Sequence, residues 1–206
     1  MASRIPLSGD EEQRLLIAIQ AWPLRDQALI QVGLRTGFRA CELSSLTVGQ
    51  VWDGSQVAGE ITVSRCNLKG GRGVRRRAVR SRTVPLGAGP RGILHAYLSA
   101  RQARQNGCLA PREPLFKSAK TSVRGLTPWT INYLVKRACA LAGLPQSARY
   151  GSHTMRKSFC RRLYQATGKD INLTRAAMGH SDVGITQRYL SVSDDEVRAA
   201  ILAVQA

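Results

Sequence analysis

Long apolar runs are missing from this chain. Leu15–Ile19 is a run of five, far from the roughly 20 residues that span a bilayer. The first residues, MASRIPLSGDEEQ, hold no charged stretch followed by an apolar one, so no secretory signal is expected. No CxxC occurs. The five cysteines, Cys41, Cys66, Cys108, Cys139 and Cys160, stand 21 to 42 residues apart and form no zinc pattern with His95, His153 and His180. They read as buried or incidental thiols of a reducing compartment. No phosphate-cradling glycine loop and no carboxylate cluster is present. Acidic residues are scarce too: 13 Asp and Glu face 31 Lys and Arg, for a net charge of +18.

That deficit is local. Residues 1–60 carry 5 basic and 7 acidic side chains, and residues 170–206 carry 3 and 5. Residues 61–169 carry 23 basic side chains and a single acid, Glu113. Of the basic residues 25 are arginine and 6 lysine, and arginine offers a planar fork that matches phosphate oxygens. Codon bias explains such a ratio but not an almost acid-free segment of this length. The field points to a polyanion, most simply nucleic acid, and away from a membrane surface. The 206 residues, 43% apolar, suit one folded domain with a real core.

Periodicity predicts helices over 10–22, closed by Pro23, and over 25–36, ended by Gly37 as the residue past the helix. A short helix over 40–46 follows. Strands are expected over 56–66 and 78–86, with Lys69-Gly70-Gly71-Arg72-Gly73 at a hairpin tip. Further helices are expected over 91–105, over 128–142 with Thr127 as cap and Pro128 at the first position, and over 152–167 with Ser152 as cap. Two short helices, 172–178 and 183–190, are broken by Gly179. Ser193-Asp194-Asp195-Glu196 reads as a capping box opening a last helix over 194–205. The fold class is therefore mainly α (α+β), with one small antiparallel sheet.

Several side chains suit chemistry on an anion. His153 and Arg156 stand three apart on one helix face, in a first turn whose N–H groups and dipole favour negative charge. His180 follows Gly179 at a helix break, and Tyr189 lies nine residues on. Arg39 stands just past Gly37, with Glu42 three residues later to hold it. Taken singly, each has a plainer reading: a cap, a core tyrosine, a surface ion pair. Tyr97 and Tyr133 read as core residues and Tyr164 as structural.

Together these segments resemble the tyrosine recombinase (phage integrase) family, as its catalytic domain, over essentially the whole chain. The pattern Thr-Gly-x-Arg-x-x-Glu-Leu stands at Thr36 to Leu43. His-x-x-Arg stands at His153 to Arg156, Gly-His-Ser at Gly179 to Ser181, and Thr-x-x-Tyr at Thr186 to Tyr189. The hairpin lysine falls on Lys69, upstream of Val84-Pro85-Leu86. The resemblance implies cutting and rejoining of double-stranded DNA through a 3′-phosphotyrosine on Tyr189, with Arg39, Lys69, His153, Arg156 and His180 assisting and no metal or ATP. It implies integration, excision, inversion or resolution, with a homotetramer on DNA and weak association or a monomer without it. A cytoplasmic, nucleoid- or mobile-element-associated prokaryotic protein is expected. Arg72, Arg75, Arg76, Arg77, Arg80 and Arg82 of the hairpin, with Lys157, are expected to contact DNA.

Met1 opens directly onto the first helix, so a single catalytic domain over 1–206 is expected, without the family's usual N-terminal core-binding domain. The last helix either docks on a neighbouring subunit or packs in cis. A type IB topoisomerase-like enzyme and a catalytically silent DNA-binding regulator are the competing readings.

Overall fold

A computed structural model describes residues 5–68, 81–118, 124–145, 149–180, 183–187, 190, 198 and 202. Backbone packing divides the chain into two compact units, residues 1–159 and 160–206. As expected, the architecture is mainly helical with one small antiparallel sheet. Among the described residues no helix is long and apolar enough to cross a membrane.

In the first unit α1 (Gly9–Ala18) is opened by a reciprocal capping box between Ser8 and Glu11. It stops four residues short of the expected end. The chain turns at Gln20–Trp22, and Pro23 starts the next helix instead of closing this one, its carbonyl accepting from the Asp26 and Gln27 N–H groups. That helix, α2 (Leu24–Thr36), is the centre of the core: Ala28, Leu29, Ile30, Val32 and Leu34 are all shut from solvent. Each such aliphatic side chain larger than alanine contributes about 1.5–3 kcal/mol on burial. Gly33 leaves room for Met155, whose sulfur lies 2.5 Å from where a Cβ would stand.

After α3 (Ala40–Ser44) and a 3₁₀ turn at Val48–Gln50 come β1 (Glu60–Val63) and β2 (Arg82–Pro85). They pair antiparallel, Ile61 opposite Val84 and Val63 opposite Arg82. β1 is shorter than expected, and a second 3₁₀ turn, Arg65–Asn67, follows its end; residues 78–80 of the second expected strand lie outside the described residues. Alternation buries Ile61, Val63, Arg82 and Val84 on one face, while the Thr62 and Thr83 hydroxyls bond at 2.7 Å on the other.

Next come α4 (Ala88–Arg104), packed on α2, and α5 (Pro128–Leu141), packed on α1 and α3. Thr127 caps α5 through the Thr130 N–H with Pro128 at the first position, as the sequence predicts. Tyr97 is buried as expected, but Tyr133 is 50% exposed and stacks on Trp129, so it is a surface residue and not core.

Helix α6 (Ser152–Ala166) carries the chain from the first unit into the second. Ser152 is its first residue instead of its cap, and its N–H donates to Asn132 Oδ1. In the second unit Asp170 caps α7 (Ile171–Met178) through the Asn172 and Leu173 N–H groups, a cap that pattern reading passed over. Then α8 (Val183–Gln187) packs on α7. The expected last helix lies outside the described residues apart from positions 198 and 202.

Candidate functional site

The end of α2 is the place to begin. Gly37 takes a left-handed conformation, φ 61°, which glycine adopts at no steric cost. A Cβ there would also lie 2.5 Å from the Phe159 ring. The turn leaves the last carbonyls of α2 and its neighbour without helical partners, and arginines from two other elements take them. Arg82, from β2, donates through Nη2 to the Thr36 carbonyl at 2.9 Å. Arg156, from α6, donates through Nη1 to the Gly37 carbonyl at 2.6 Å. The Arg82 guanidinium also lies 5.2 Å from the centre of the Phe38 ring.

Arg39, the residue before α3, completes the cluster. Glu42 is fully buried and holds it twice, one carboxylate oxygen accepting from the Arg39 N–H at 2.8 Å and the other from Nη1 at 2.6 Å. The i,i+3 spacing predicts this pair. Here it is no ordinary surface bridge, because its carboxylate is removed from water.

Arg156 is 0% exposed and Arg82 9%. Burial pushes the Arg82 guanidinium down to about 10, with Arg156 and Arg39 acting as like charges and Glu42 opposing them. It remains charged at neutral pH. Three guanidiniums and one carboxylate thus gather at the Thr36–Arg39 turn, and guanidiniums are suited to bind an anion.

His153 and Arg156 lie at different depths of α6: His153 is exposed, whereas Arg156 is sealed. Lys157 is also buried. The first turn of α6 is less open to an anion than its sequence suggests. The Gly151 N–H donates to Thr154 Oγ1 and the Ser152 N–H to Asn132 Oδ1.

In the second unit, Gly179 ends α7 in a left-handed conformation, φ 64°, and turns His180 off the helix. The imidazole is 4% exposed, with Nδ1 2.9 Å from the Thr186 hydroxyl of α8. The His180 N–H donates to the Arg175 carbonyl, and Arg175 Nη1 to the His180 carbonyl. Thr186 thus fixes the ring by a bond to one nitrogen.

Arg39, Arg156 and Glu42 are therefore assembled with Arg82, and His180 is fixed within its own unit. Lys69, Arg72, Arg75, Arg76, Arg77, Arg80 and Tyr189 lie outside the described residues. Arg82 is set apart from the other hairpin arginines by its burial. Its signal in the sequence is the alternation that puts it in phase with Val84 and Leu86. Thr186 is the other residue whose placement the motif reading did not use. Among the described residues no group of His, Cys, Asp and Glu is placed to hold a metal ion.

Tyrosine recombinase XerD of Yersinia pestis is 31% identical over 176 residues, covering 85% of this chain and 52% of that protein. Tyrosine recombinase XerC of Caldanaerobacter subterraneus is 26% identical over 198 residues, covering 96% and 50%. The chain thus spans about half the length of these relatives. Among solved structures, XerA recombinase superposes with a TM-score of 0.74 at 25% identity, over 100% of this chain and 67% of that one. XerH recombinase bound to its difH substrate shares the fold, with a TM-score of 0.68 at 23% identity, over 98% and 55%. Residues 6–196 match the phage integrase family, and the chain belongs to it.

Proposed function

We propose that this chain is the catalytic part of a site-specific DNA recombinase. The observation that carries the reading is the turn at Thr36–Arg39, where Arg39 and Arg156 of the family motifs meet. A scissile phosphodiester is the anion. Arg39 and Arg156 bind its non-bridging oxygens and stabilise the extra negative charge of the transition state. Tyr189 Oη attacks phosphorus and the bond to O5′ breaks, leaving a 3′-phosphotyrosine and a 5′-hydroxyl. His153 and His180 hydrogen-bond the phosphate or take the phenolic proton, and Lys69 delivers a proton to the departing O5′. Attack by a 5′-hydroxyl on the phosphotyrosine reverses the step and rejoins the strand, without an outside energy source.

The remaining basic residues serve affinity. Arg72, Arg75, Arg76, Arg77 and Arg80 bind backbone phosphates of double-stranded DNA, whereas Lys157, expected to join them, is buried on α6. The protein works as a homotetramer on two DNA sites and is monomeric or weakly associated without them. Its setting is the prokaryotic nucleoid or a mobile element.

The test is a suicide duplex carrying a native site, sought in the flanking DNA as inverted repeats of about 10 bp one helical turn apart. The wild-type protein is expected to form a covalent protein–DNA adduct, and Tyr189→Phe to form none while still binding DNA. An adduct that survives Tyr189→Phe would overturn the nucleophile. No wild-type adduct on any native site would overturn the enzyme reading in favour of a silent regulator. Relaxation of supercoils without exchange between sites would favour a topoisomerase.

A further inference from the structure

Arg82 occupies a position that an arginine rarely fills. It lies on the buried face of β2, opposite Val63 and in line with Val84, where alternation calls for an apolar side chain. Burying a guanidinium costs free energy unless it is bonded and balanced by charge. Here Nη2 donates to the Thr36 carbonyl, the last residue of α2, where the helix dipole is negative. The next carbonyl, Gly37, belongs to Arg156, and the residue after Phe38 is Arg39. Two elements, β2 and α6, thus bring guanidiniums to a four-residue turn that ends on Arg39.

We propose that Arg82 is a positioning residue for strand cleavage: it clamps the Thr36 carbonyl and, as a third positive charge, keeps Arg156 and Arg39 aimed at the scissile phosphate. This rests on the recombinase reading above. Arg82 does not touch the phosphate. Its clamp fixes the turn whose next carbonyl orients Arg156. Its charge adds to the field that the transition state meets, and burial of Arg82 strengthens such a field. An ordinary helix-capping role would give Arg82 an effect on stability alone.

The experiment compares wild type, Arg82→Met and Arg82→Lys in single-turnover cleavage of the suicide duplex at saturating DNA, with DNA affinity and melting temperature measured alongside. Arg82→Met keeps the stem and removes the charge. Its cleavage is expected to fall about 100-fold while affinity stays within about threefold of wild type. Arg82→Lys restores charge and one donor, and is expected to recover about tenfold of that loss.

A double-mutant cycle with Arg39→Lys is expected to be non-additive, the combined loss being smaller than the product of the single losses. If Arg82→Met is unfolded at the assay temperature, the cycle is run with Arg82→Lys. The proposal is overturned by cleavage within about threefold of wild type in folded Arg82→Met, or by affinity and cleavage falling in equal proportion. Losses that simply multiply with Arg39→Lys would overturn it too. A wild-type protein that forms no adduct sinks both readings. A wild-type adduct with an unaffected Arg82 variant sinks this one alone.

Discussion

Two basic clusters in the first unit each gather three cations and differ in how many carboxylates they hold. In the cluster on α4, Arg101 is 8% exposed and donates to the Glu113 carboxylate and to the Pro114 and Leu115 carbonyls. Lys117 meets the same carboxylate at 3.3 Å. Arg25 holds Asp26 at 2.7 Å and the Lys117 carbonyl at 2.9 Å. Carboxylates are interleaved with cations, and the result is a tie between α2, α4 and the loop after residue 110. In the cluster at Gly37, Arg39, Arg82 and Arg156 gather on one turn, and Glu42 is the opposing charge that Arg82 feels. Burial of arginine does not distinguish the two clusters. The share of carboxylates does: two stand among three cations on the α4 side, Asp26 and Glu113, and Glu42 stands among three at Gly37.

The largest effect on this comparison comes from the backbone. Gly37→Ala forces a side chain into a left-handed conformation and against Phe159, and is expected to cost about 2–4 kcal/mol. Denaturant unfolding measures it, and adduct formation should fall further than stability alone explains, because the turn presents both Arg39 and the carbonyl that holds Arg156.

A smaller effect is expected on the α4 side. Burial raises the Glu113 carboxyl, but Lys117 and Arg101 outweigh it and the net shift is below the ordinary 4.5. A depressed carboxyl contributes stability that is full above its unfolded value and is lost as pH falls through the lower folded one. Glu113→Gln should therefore flatten the acid side of the stability profile below about pH 4.5, and cost no more than about 1 kcal/mol at neutral pH. Melting curves from pH 3 to 7 read this directly, and cleavage at pH 7 should not change.

Local signals were legible, and long-range ones were not. Thr127-Pro128 starts α5 because the cap and the missing N–H act within one turn, and Gly37 ends α2 for an equally local reason. The Arg39–Glu42 pair follows from i,i+3 spacing on α3. Pro23 opens α2 where its sequence suggests the end of α1, because a proline that closes one helix and one that opens the next look alike without the Asp26 and Gln27 bonds. Tyr133 sits at apolar spacing on α5, yet its ring is half exposed and lies against Trp129. The bond from Arg156 to the Gly37 carbonyl spans 119 residues of chain, and no spacing rule reaches that far. Arg82 is the intermediate case. Its alternation with Val84 was in the sequence, but a run of surrounding arginines masked it as one more phosphate contact.

A matched pair of substitutions tests the central claim most directly. Arg156→Lys and Arg101→Lys make the same chemical change in the two clusters and are assayed well below their melting temperatures for adduct formation on the suicide duplex. Arg156→Lys is predicted to lose about 100- to 1,000-fold in cleavage at saturating DNA, and Arg101→Lys to stay within about threefold of wild type. Equal losses in the two proteins, or an Arg156→Lys protein that cleaves normally, would contradict the account.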